Sequence, residues 1–331
     1  MSSKKAVYAA LLGNLCIALF KLAAALMGKS SSLLAEAYHS FSDTINQVLL
    51  LIGISRSAKA PDKRHPYGYG KVQFFYAFVV AMLIFGVAGV LSLREGFHRL
   101  LHPAPLENIA ILYLSLGVAL VFETFALRIA YKELKEEMHE ESFTSIVQAI
   151  KESKDPTILT VVFEDSLALL SIFIAGISIS LSYLLQKPFF DALGSVLIGA
   201  LLMIFAFLLA RETKKLLIGE AVSESKKKKI EEAILKTEGV NEVLDLHTMH
   251  LGPEEVVINT EVNFNENLTT KQVEKVIDKV EQNLKKIFPK SICYIEAGGK
   301  VECVIVSEEG KENKENEGHG SRNRNGSSEQ K

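Results

Sequence analysis

The chain has 331 residues, of which 48% are hydrophobic and 23% are charged, and its formal net charge is -2. That charge indicates no particular partner, and we expect no nucleic-acid binding. Almost all of the long apolar runs lie before residue 211, whereas the remainder is rich in Lys and Glu. So many concentrated apolar residues exclude an ordinary soluble globular chain.

Six apolar runs reach the length that a membrane-spanning helix needs, about 20 residues for roughly 30 Å of hydrocarbon. Buried helices of a soluble protein are the alternative, but so many runs leave too little polar surface to cover them. The sequence therefore predicts a six-helix transmembrane bundle. The runs are Val7–Met27, Leu33–Ile54, Val72–Leu93, Ile109–Ala130, Thr157–Leu185 and Phe189–Ala210.

Basic residues near the ends of these runs are distributed unequally between the two sides. One side holds Lys29, Arg94, Arg99 and Lys187, and the other collects most of the remaining Lys and Arg of this region. Because Lys and Arg are enriched on the cytoplasmic side, six crossings put both termini in the cytoplasm. We expect an integral, multi-pass protein of the plasma membrane of a prokaryote.

Beyond the last apolar run, the pattern is typical of a small α+β domain in the order αββαβ. Helices are predicted at Ser223–Thr237 and Thr269–Phe288, and strands at Val240–Leu251, Val256–Phe264 and Ile292–Val306. Such a domain suits a small sheet with its helices packed on one side. We therefore divide the chain into a transport domain (1–215), a cytoplasmic dimerisation or regulatory domain (216–308) and a disordered polar tail (309–331).

Ionisable side chains within the second run are the first candidates for function, because each costs about 2.5–3.5 kcal/mol in hydrocarbon. His39 and Asp43 are four residues apart and share one helix face near mid-membrane. An imidazole and a carboxylate at this spacing suit tetrahedral Zn²⁺. Gln47 continues the same face.

The fifth run supplies Glu164 and Asp165, again near half depth. Neighbouring residues of a regular helix point about 100° apart, so we do not expect one ion to bind both. Pairing of such groups with Lys21 or with the backbone is the structural alternative. We favour that alternative for Glu164 and a metal-binding role for Asp165.

Other polar residues of the apolar runs are weaker candidates for metal binding. Asn14 and Lys21 share a face of the first run, and we interpret them as packing or charge-balance residues, with contact to the ion path as the alternative. Glu123 and Asp191 are interpreted as helix–helix hydrogen-bonding groups, with a relay or gate role as the alternative. Residues 131–156 form a charged connector, which we expect to be one amphipathic helix.

Two further places hold potential metal ligands. The segment Asp62–Lys71 is a turn that includes His65, and its spacing is more typical of a rigid loop than of a metal site. His247 and His250 are three residues apart on a predicted strand, which places them on opposite faces of the sheet. A shared ion there would need a bulge.

Several segments resemble the cation diffusion facilitator family. Gly13–Lys21, Gly28–Ser30 and Leu34–Asp43 resemble its signature, Pro61–Lys71 resembles its first cytoplasmic loop, and Asp245–Pro253 resembles part of its soluble domain. The similarity covers residues 1 to about 305. Val162–Ser166 and the long connector before it are similar to the divergent branch of the family that contains zinc transporter nine. The resemblance implies homodimers that exchange a cytoplasmic divalent ion for protons.

The resemblance also implies a transport site with two ligands from the second helix and two from the fifth. His39, Asp43 and Asp165 match three of these positions, but the fourth position is Val161. Either water and three protein ligands hold the ion, or Gln47 or Glu164 completes the site; we favour water or Gln47.

Two further departures concern the loop and the soluble domain. Asp62 and His65 match family ligand positions in the loop, but Tyr69 replaces the expected His and leaves at most a weak site there. The usual binuclear positions of the soluble domain are not a ligand set in this chain. They correspond to Leu244, Thr260, Glu296 and Gly298. The resemblance therefore implies a dimerising domain of the metallochaperone-like fold without the family's full binuclear zinc site.

These observations predict a divalent cation exporter driven by proton antiport, with zinc favoured because of the imidazole ligand. Protons and metal compete for the same groups, and His39 is the expected proton acceptor because imidazole titrates near neutral pH. We expect no cofactor beyond the transported metal. The alternatives are Mn, Fe, Co or Cd as the ion, a non-transporting metal sensor or scaffold, and an intramembrane metallohydrolase. The last is disfavoured because HExxH is absent.

Overall fold

The computed structural model describes residues 4–140 and 156–299. The first of its two parts is helical, and the second is a small sheet with two helices. The helices of the first part are α1 (Lys4–Gly28), α2 (Ser31–Ser57), α3 (Lys71–Leu83), α4 (Val90–Leu101), α5 (Ile109–Glu140), α6 (Pro156–Leu185) and α7 (Phe189–Ile218). A π-helical stretch, Ile84–Gly89, joins α3 to α4 and makes them one continuous rod.

Five helical segments of the described residues are long and apolar enough to cross a membrane. They are Leu11–Gly28, Lys71–Leu101, Ile109–Glu136, Val161–Leu185 and Phe189–Ile218. The second predicted span is also a helix, α2, but it carries Glu36, Asp43 and Arg56 and is more polar than the others. A count of six membrane-spanning helices is therefore not established by hydropathy, although all six predicted runs are helical.

Helix α2 is the central element of the bundle. It packs against α1, α3, α6 and α7, and α5 closes the remaining side by packing on α1 and α6. The polar face of α2 is thereby turned toward protein: His39 and Asn46 are buried, and Asp43 is half-buried. A polar helix in such a position keeps its ionisable groups away from lipid, which explains how this sequence tolerates them.

Close helix packing at α4 and α7 depends on glycine. A Cβ atom on Gly96 would come within 2.8 Å of the backbone nitrogen of Val196, and one on Gly199 within 2.7 Å of the backbone nitrogen of Leu93. Small residues allow two backbones to approach this closely, as is common between membrane helices.

The second part contains α8 (Glu224–Leu235), β1 (Val240–His250), β2 (Val256–Phe264), α9 (Thr270–Ile287) and β3 (Ile292–Ala297). β1 pairs antiparallel with β2, and β2 pairs parallel with β3. Alternate residues of β2 are buried against Ile230 and Ile234 of α8 and Val280 and Leu284 of α9. The αββαβ order is as predicted, and β3 ends at Ala297 in the described part.

The predicted connector is partly described. Residues 131–140 continue α5 as one helix, and α6 begins at Pro156. The rest of the connector and the polar tail after residue 308 lie outside the described residues.

Candidate metal-transport site

A cavity of about 400 Å³ lies between α1, α2, α5 and α6. Five carboxylates line it, and no basic side chain does so among the described residues. They are Asp43, Glu123, Glu133, Glu164 and Asp165. Because low-dielectric walls concentrate the field of like charges, a lining of this kind favours cations over anions.

The cavity lies nearer to one end of the bundle. Its wall includes Asn14 in the first half of α1, Gln47 in the second half of α2, Glu133 in the last third of α5 and Val161 near the start of α6. This end, where α1, α3 and α6 begin and α2, α5 and α7 end, is called the domain end because α7 continues from it into the sheet domain. The other end is called the opposite end.

His39 and Asp43 are adjacent, as their spacing predicts. Nδ1 of His39 lies 3.3 Å from Oδ1 of Asp43, and only 1% of the His39 side chain is exposed. Three buried atoms here have no hydrogen-bond partner of good geometry within the described residues. They are the two ring nitrogens of His39 and Oδ1 of Asp43. Buried polar atoms normally have such partners, so these three atoms are suited to a ligand that the protein binds.

The α6 residues approach the same cavity. Asp165 and Glu164 both line it, together with Val161 one turn earlier. Glu164 is buried, and its Oε1 accepts a hydrogen bond of 3.2 Å from Nδ2 of Asn46 on α2. Among the described residues, Asp165 makes no such hydrogen bond, and it is partly accessible from the cavity. Asp165 is thus the more accessible carboxylate of the two.

Gln47 lines the cavity, but its side chain is already engaged. Its Oε1 accepts a hydrogen bond of 3.0 Å from Nδ2 of Asn14 on α1. To bind a metal through Oε1, Gln47 would have to release Asn14 or share the oxygen. The contact also explains Asn14, which orients Gln47 from the neighbouring helix.

The predicted ligands do not form a closed coordination shell. Within residues 4–140 and 156–299, no group of three or more His, Cys, Asp or Glu side chains is close enough to hold a metal ion. His39 and Asp43 form one pair, and Asp165 faces them from the cavity wall on α6. Ligation by all three would require the α2 and α6 side chains to move toward each other.

Sequence interpretation missed a buried ionic cluster beside the cavity. Nζ of Lys21 lies 3.1 Å from Oε2 of Glu36, 2.7 Å from Oγ of Ser40 and 3.8 Å from Oε1 of Glu123. Lys21 and Glu36 are completely buried. Glu36 lies within the family motif Leu34–Asp43. Its spacing of three and seven residues from His39 and Asp43 places it on the same face of α2 and could have identified it.

Asp191 agrees with the helix–helix hydrogen-bonding interpretation. Its carboxylate, near the start of α7, accepts hydrogen bonds from the backbone and hydroxyl groups of Ser31 and Ser32 and from the hydroxyl of Ser30. It therefore fixes the first turn of α2, the helix that carries His39 and Asp43. Glu123 instead contacts Lys21 and lines the cavity.

The loop before α3 is organised around Asp62. Its Oδ2 accepts a hydrogen bond of 2.7 Å from the hydroxyl of Tyr69, and its Oδ1 accepts bonds from the backbone N–H groups of Arg64 and His65. The Tyr69 bond is the largest of the contributions that hold the pKa of Asp62 well below its ordinary value. Nδ1 of His65 is 3.5 Å from Oδ1. These contacts form a rigid loop. The hydroxyl of Tyr69 hydrogen-bonds to Oδ2 of Asp62, an oxygen that a metal would need as a ligand.

The sheet domain separates its two histidines, as predicted. The side chain of His247 is 76% exposed and lies 3.0 Å from Asp245, whereas His250 is buried. The register between residues 245 and 250 of β1 is regular, so no bulge brings them to one face. Thr260 is buried and donates its hydroxyl hydrogen bond to the backbone carbonyl of Asp245, which gives it a structural role.

The fold and the cavity define a class of protein: a multi-pass membrane protein with an anionic cavity between its helices and a small αββαβ domain at one end. Comparison with known families specifies the class further. Residues 7–218 match the cation efflux transmembrane domain, and residues 222–297 match the cytoplasmic domain of cation efflux proteins. The chain belongs to the cation efflux family, whose members are ion transporters.

Three curated relatives show where the similarity lies. The chain is 32% identical over 270 residues to a proton-coupled zinc antiporter, SLC30A9, mitochondrial, of Xenopus laevis, and 33% identical over 253 residues to the protein of that name from Homo sapiens. It is 29% identical over 263 residues to metal tolerance protein C4 of Arabidopsis thaliana. The alignments cover 80%, 76% and 80% of this chain, respectively. They cover 48%, 44% and 57% of the relatives, so the chain spans about half the length of the curated relatives it matches.

Proposed function

We propose that this protein exports a divalent metal ion, with zinc as its main ion, in exchange for protons. The observation that carries the proposal is the anionic cavity, whose wall joins Asp43 of α2 to Asp165 of α6 while His39 is buried beside Asp43. The names of the animal relatives, proton-coupled zinc antiporters, support the same ion and the same coupling.

His39, Asp43 and Asp165 are the proposed ligands. The imidazole favours zinc over manganese, because all-oxygen sites suit Mn²⁺ whereas nitrogen and oxygen ligands suit Zn²⁺. Val161 supplies no donor atom, so water fills the fourth position, or Gln47 does so after releasing Asn14. Glu164 stays with Asn46 and stabilises the contact between α2 and α6.

Proton coupling follows from competition for the same atoms. Zinc binds when the imidazole is neutral and the carboxylates are ionised, and protons arriving from the far side displace it. The cavity lies nearer to the domain end. In this proposal it opens there and takes up metal from the cytoplasm. Alternating access then exposes the same ligands to the other side.

Orientation, span count and assembly are also part of the proposal. Helix α2 has 27 residues, about 40 Å at 1.5 Å per residue, which is long enough to be the sixth span. An even number of spans puts both termini on one side, together with the sheet domain, and the excess of Lys and Arg there makes it the cytoplasmic side. We propose a homodimer assembled through that domain and a prokaryotic plasma membrane as its location, although the animal relatives carry the word mitochondrial in their names.

A second candidate function is a metal sensor or scaffold that binds without transporting. The observation that favours it is Val161, which removes a ligand from α6 and leaves a weaker site in the cavity. A flux measurement separates the two functions, since both bind metal and only one moves it.

The test is a flux assay in proteoliposomes that contain zinc-sensitive and pH-sensitive dyes. The wild-type protein should move Zn²⁺ one way and protons the other, and Asp43→Asn and Asp165→Asn should each lower the rate at least tenfold. Glu95→Gln is the matched control, because this carboxylate pairs with Arg99 on α4, away from the cavity. Repeating the assay with Mn²⁺, Fe²⁺, Co²⁺ or Cd²⁺ in place of Zn²⁺ ranks the ions by their transport rates. Binding without flux would favour the sensor, and unchanged flux in both variants would exclude the site.

A further inference from the structure

The buried ammonium of Lys21 lies directly behind the floor of the cavity, which is the part of the cavity wall nearest the opposite end. Ser40 and Glu123 line the cavity, and Nζ of Lys21 is within 2.7 Å and 3.8 Å of them. Glu36, at 3.1 Å, does not line the cavity. The ammonium therefore stands at the boundary, with Glu36 behind it and Glu123 in front of it.

The Lys21–Glu36 pair separates the cavity from the opposite end of the bundle. Glu36 precedes Asp43 by seven residues on α2, which is about 10 Å along the axis toward the opposite end. Beyond the pair, Ala24 of α1, Leu33 of α2 and Leu112 of α5 are completely buried in one apolar cluster. An ion that leaves the cavity toward the opposite end must pass the pair before it passes this cluster.

Lys21 is closer to one of its two carboxylate partners, Glu36, than to the other, Glu123, which suggests that it can also pair mainly with Glu123. Oε1 of Glu36 is buried and has no hydrogen-bond partner among the described residues, so one ammonium alone neutralises this carboxylate. The same ammonium has a second carboxylate, Glu123, within ion-pair distance. A flexible lysine stem can follow either acid, because its three donors rotate and its point charge needs no fixed plane.

We propose that Lys21 is a mobile counter-charge of the transport cycle, paired with Glu36 while the cavity is open at the domain end and with Glu123 when the cavity closes. This inference rests on the proposed function. In the first arrangement the ion pair closes the floor. In the second, the ammonium neutralises a carboxylate of the cavity wall, and Glu36 becomes a free carboxylate on the helix face that carries His39 and Asp43.

The freed Glu36 would give a departing dication its next oxygen ligand. It lies one turn from His39 toward the opposite end, so the ion would move along one face of α2. Lys21 and Glu36 are therefore positioning residues for passage through the bundle. The metal-binding step in the cavity does not require them.

A purely structural ion pair would behave differently. Replacement of a buried pair by apolar residues of similar volume is often neutral or stabilising. The double variant Lys21→Met with Glu36→Met is therefore expected to fold, and it removes both charges together. If the pair only joins α1 to α2, this variant should transport normally.

The experiment follows the opening of the cavity with a single cysteine. Gly13 lines the cavity, and a Cβ atom there would meet nothing within 4 Å, so Gly13→Cys places a thiol without disturbing the packing. The native cysteines 16, 293 and 303 are replaced by Ser. In proteoliposomes, the rate of modification by a membrane-impermeant thiosulfonate reports access from the domain end, before and after a proton gradient is imposed.

The parent protein with Gly13→Cys should transport Zn²⁺ and change its modification rate at least fivefold under the gradient. The double variant should bind Zn²⁺ with an affinity within threefold of that of the parent, but its Zn²⁺ flux should be at least tenfold lower. Its modification rate under the gradient should remain equal to the rate measured without the gradient, because the cavity stays open. Lys21→Arg, which keeps the charge, should retain measurable flux and gradient response. Flux and gradient response at parent levels in the double variant would overturn the proposal. A parent that moves no zinc would instead refute the proposed function itself.

Discussion

The carboxylate of Asp191 accepts a hydrogen bond of 2.6 Å from the backbone N–H of Ser31, in the first turn of α2. The neighbouring N–H of Ser32 and the hydroxyl groups of Ser30–Ser32 donate to the same carboxylate. The first N–H groups of a helix lack partners within the helix and carry partial positive charge, so a buried anion at this point stabilises them. One residue of α7 thereby sets the position of the helix that carries the proposed metal ligands.

Asp191→Ala should therefore destabilise the protein, because it leaves several buried donors unpaired at about 1–3 kcal/mol for each such group. We expect a total loss of at least about 2 kcal/mol, and Asp191→Asn should lose less because its amide oxygen still accepts. Thermal unfolding in detergent measures both. Glu107→Gln is the control, since it breaks an exposed pair with Lys29 and should change stability by less than about 1 kcal/mol.

The loop before α3 is in close contact with the sheet domain at Gly70. A Cβ atom on this residue would clash with the backbone carbonyl of Leu251 and approach the carboxylate of Glu255. Gly70→Ala should therefore push the loop away from the β1–β2 turn or strain the loop backbone. Either change should lower the free energy of unfolding by about 1–3 kcal/mol. The rate of backbone amide hydrogen exchange should rise in residues 251–255 of this variant. Gly13→Ala is the control, because a Cβ atom on Gly13 has free space and should leave this rate unchanged. Unchanged protection would show that the contact carries no stability.

Tyr69 has the geometry to be converted into a metal ligand. Its hydroxyl contacts Asp62 at 2.7 Å, and its ring centroid lies 4.3 Å from that of His65. Tyr69→His should add an imidazole beside an existing carboxylate and imidazole, so calorimetry should detect one more zinc bound per chain than in the wild type. Tyr69→Phe should gain none, because it only removes the hydrogen bond. Equal stoichiometry in all three proteins would contradict this prediction.

How far the sequence predicted the structure depends on whether a feature is local. The helix periods, the αββαβ order and the proximity of His39 to Asp43 follow from spacing along one chain segment. The pairing of Lys21 with Glu36 and Glu123 joins three helices, and the bond from Asn14 to Gln47 joins two. Such contacts depend on the rotation and depth of each helix, which periodicity alone does not determine. For the same reason, the depth of Asp165 in its run could make it a candidate ligand but could not predict which residues of α1, α2 and α5 line the same cavity.

The missing ligand at Val161 leads to the last prediction. Val161 lines the cavity and lies four residues before Asp165, the same spacing that brings His39 and Asp43 together on α2. Val161→His should therefore add a nitrogen donor to the site and tighten zinc binding about tenfold, which corresponds to about 1.4 kcal/mol. Tighter binding of the ground state does not speed release, so flux at saturating zinc should stay constant or fall. Isothermal calorimetry and the proteoliposome assay measure the two effects, and Val161→Leu serves as the apolar control. An affinity that does not change with histidine at this position would mean that α6 presents only Asp165 to the metal, or that the metal binds elsewhere.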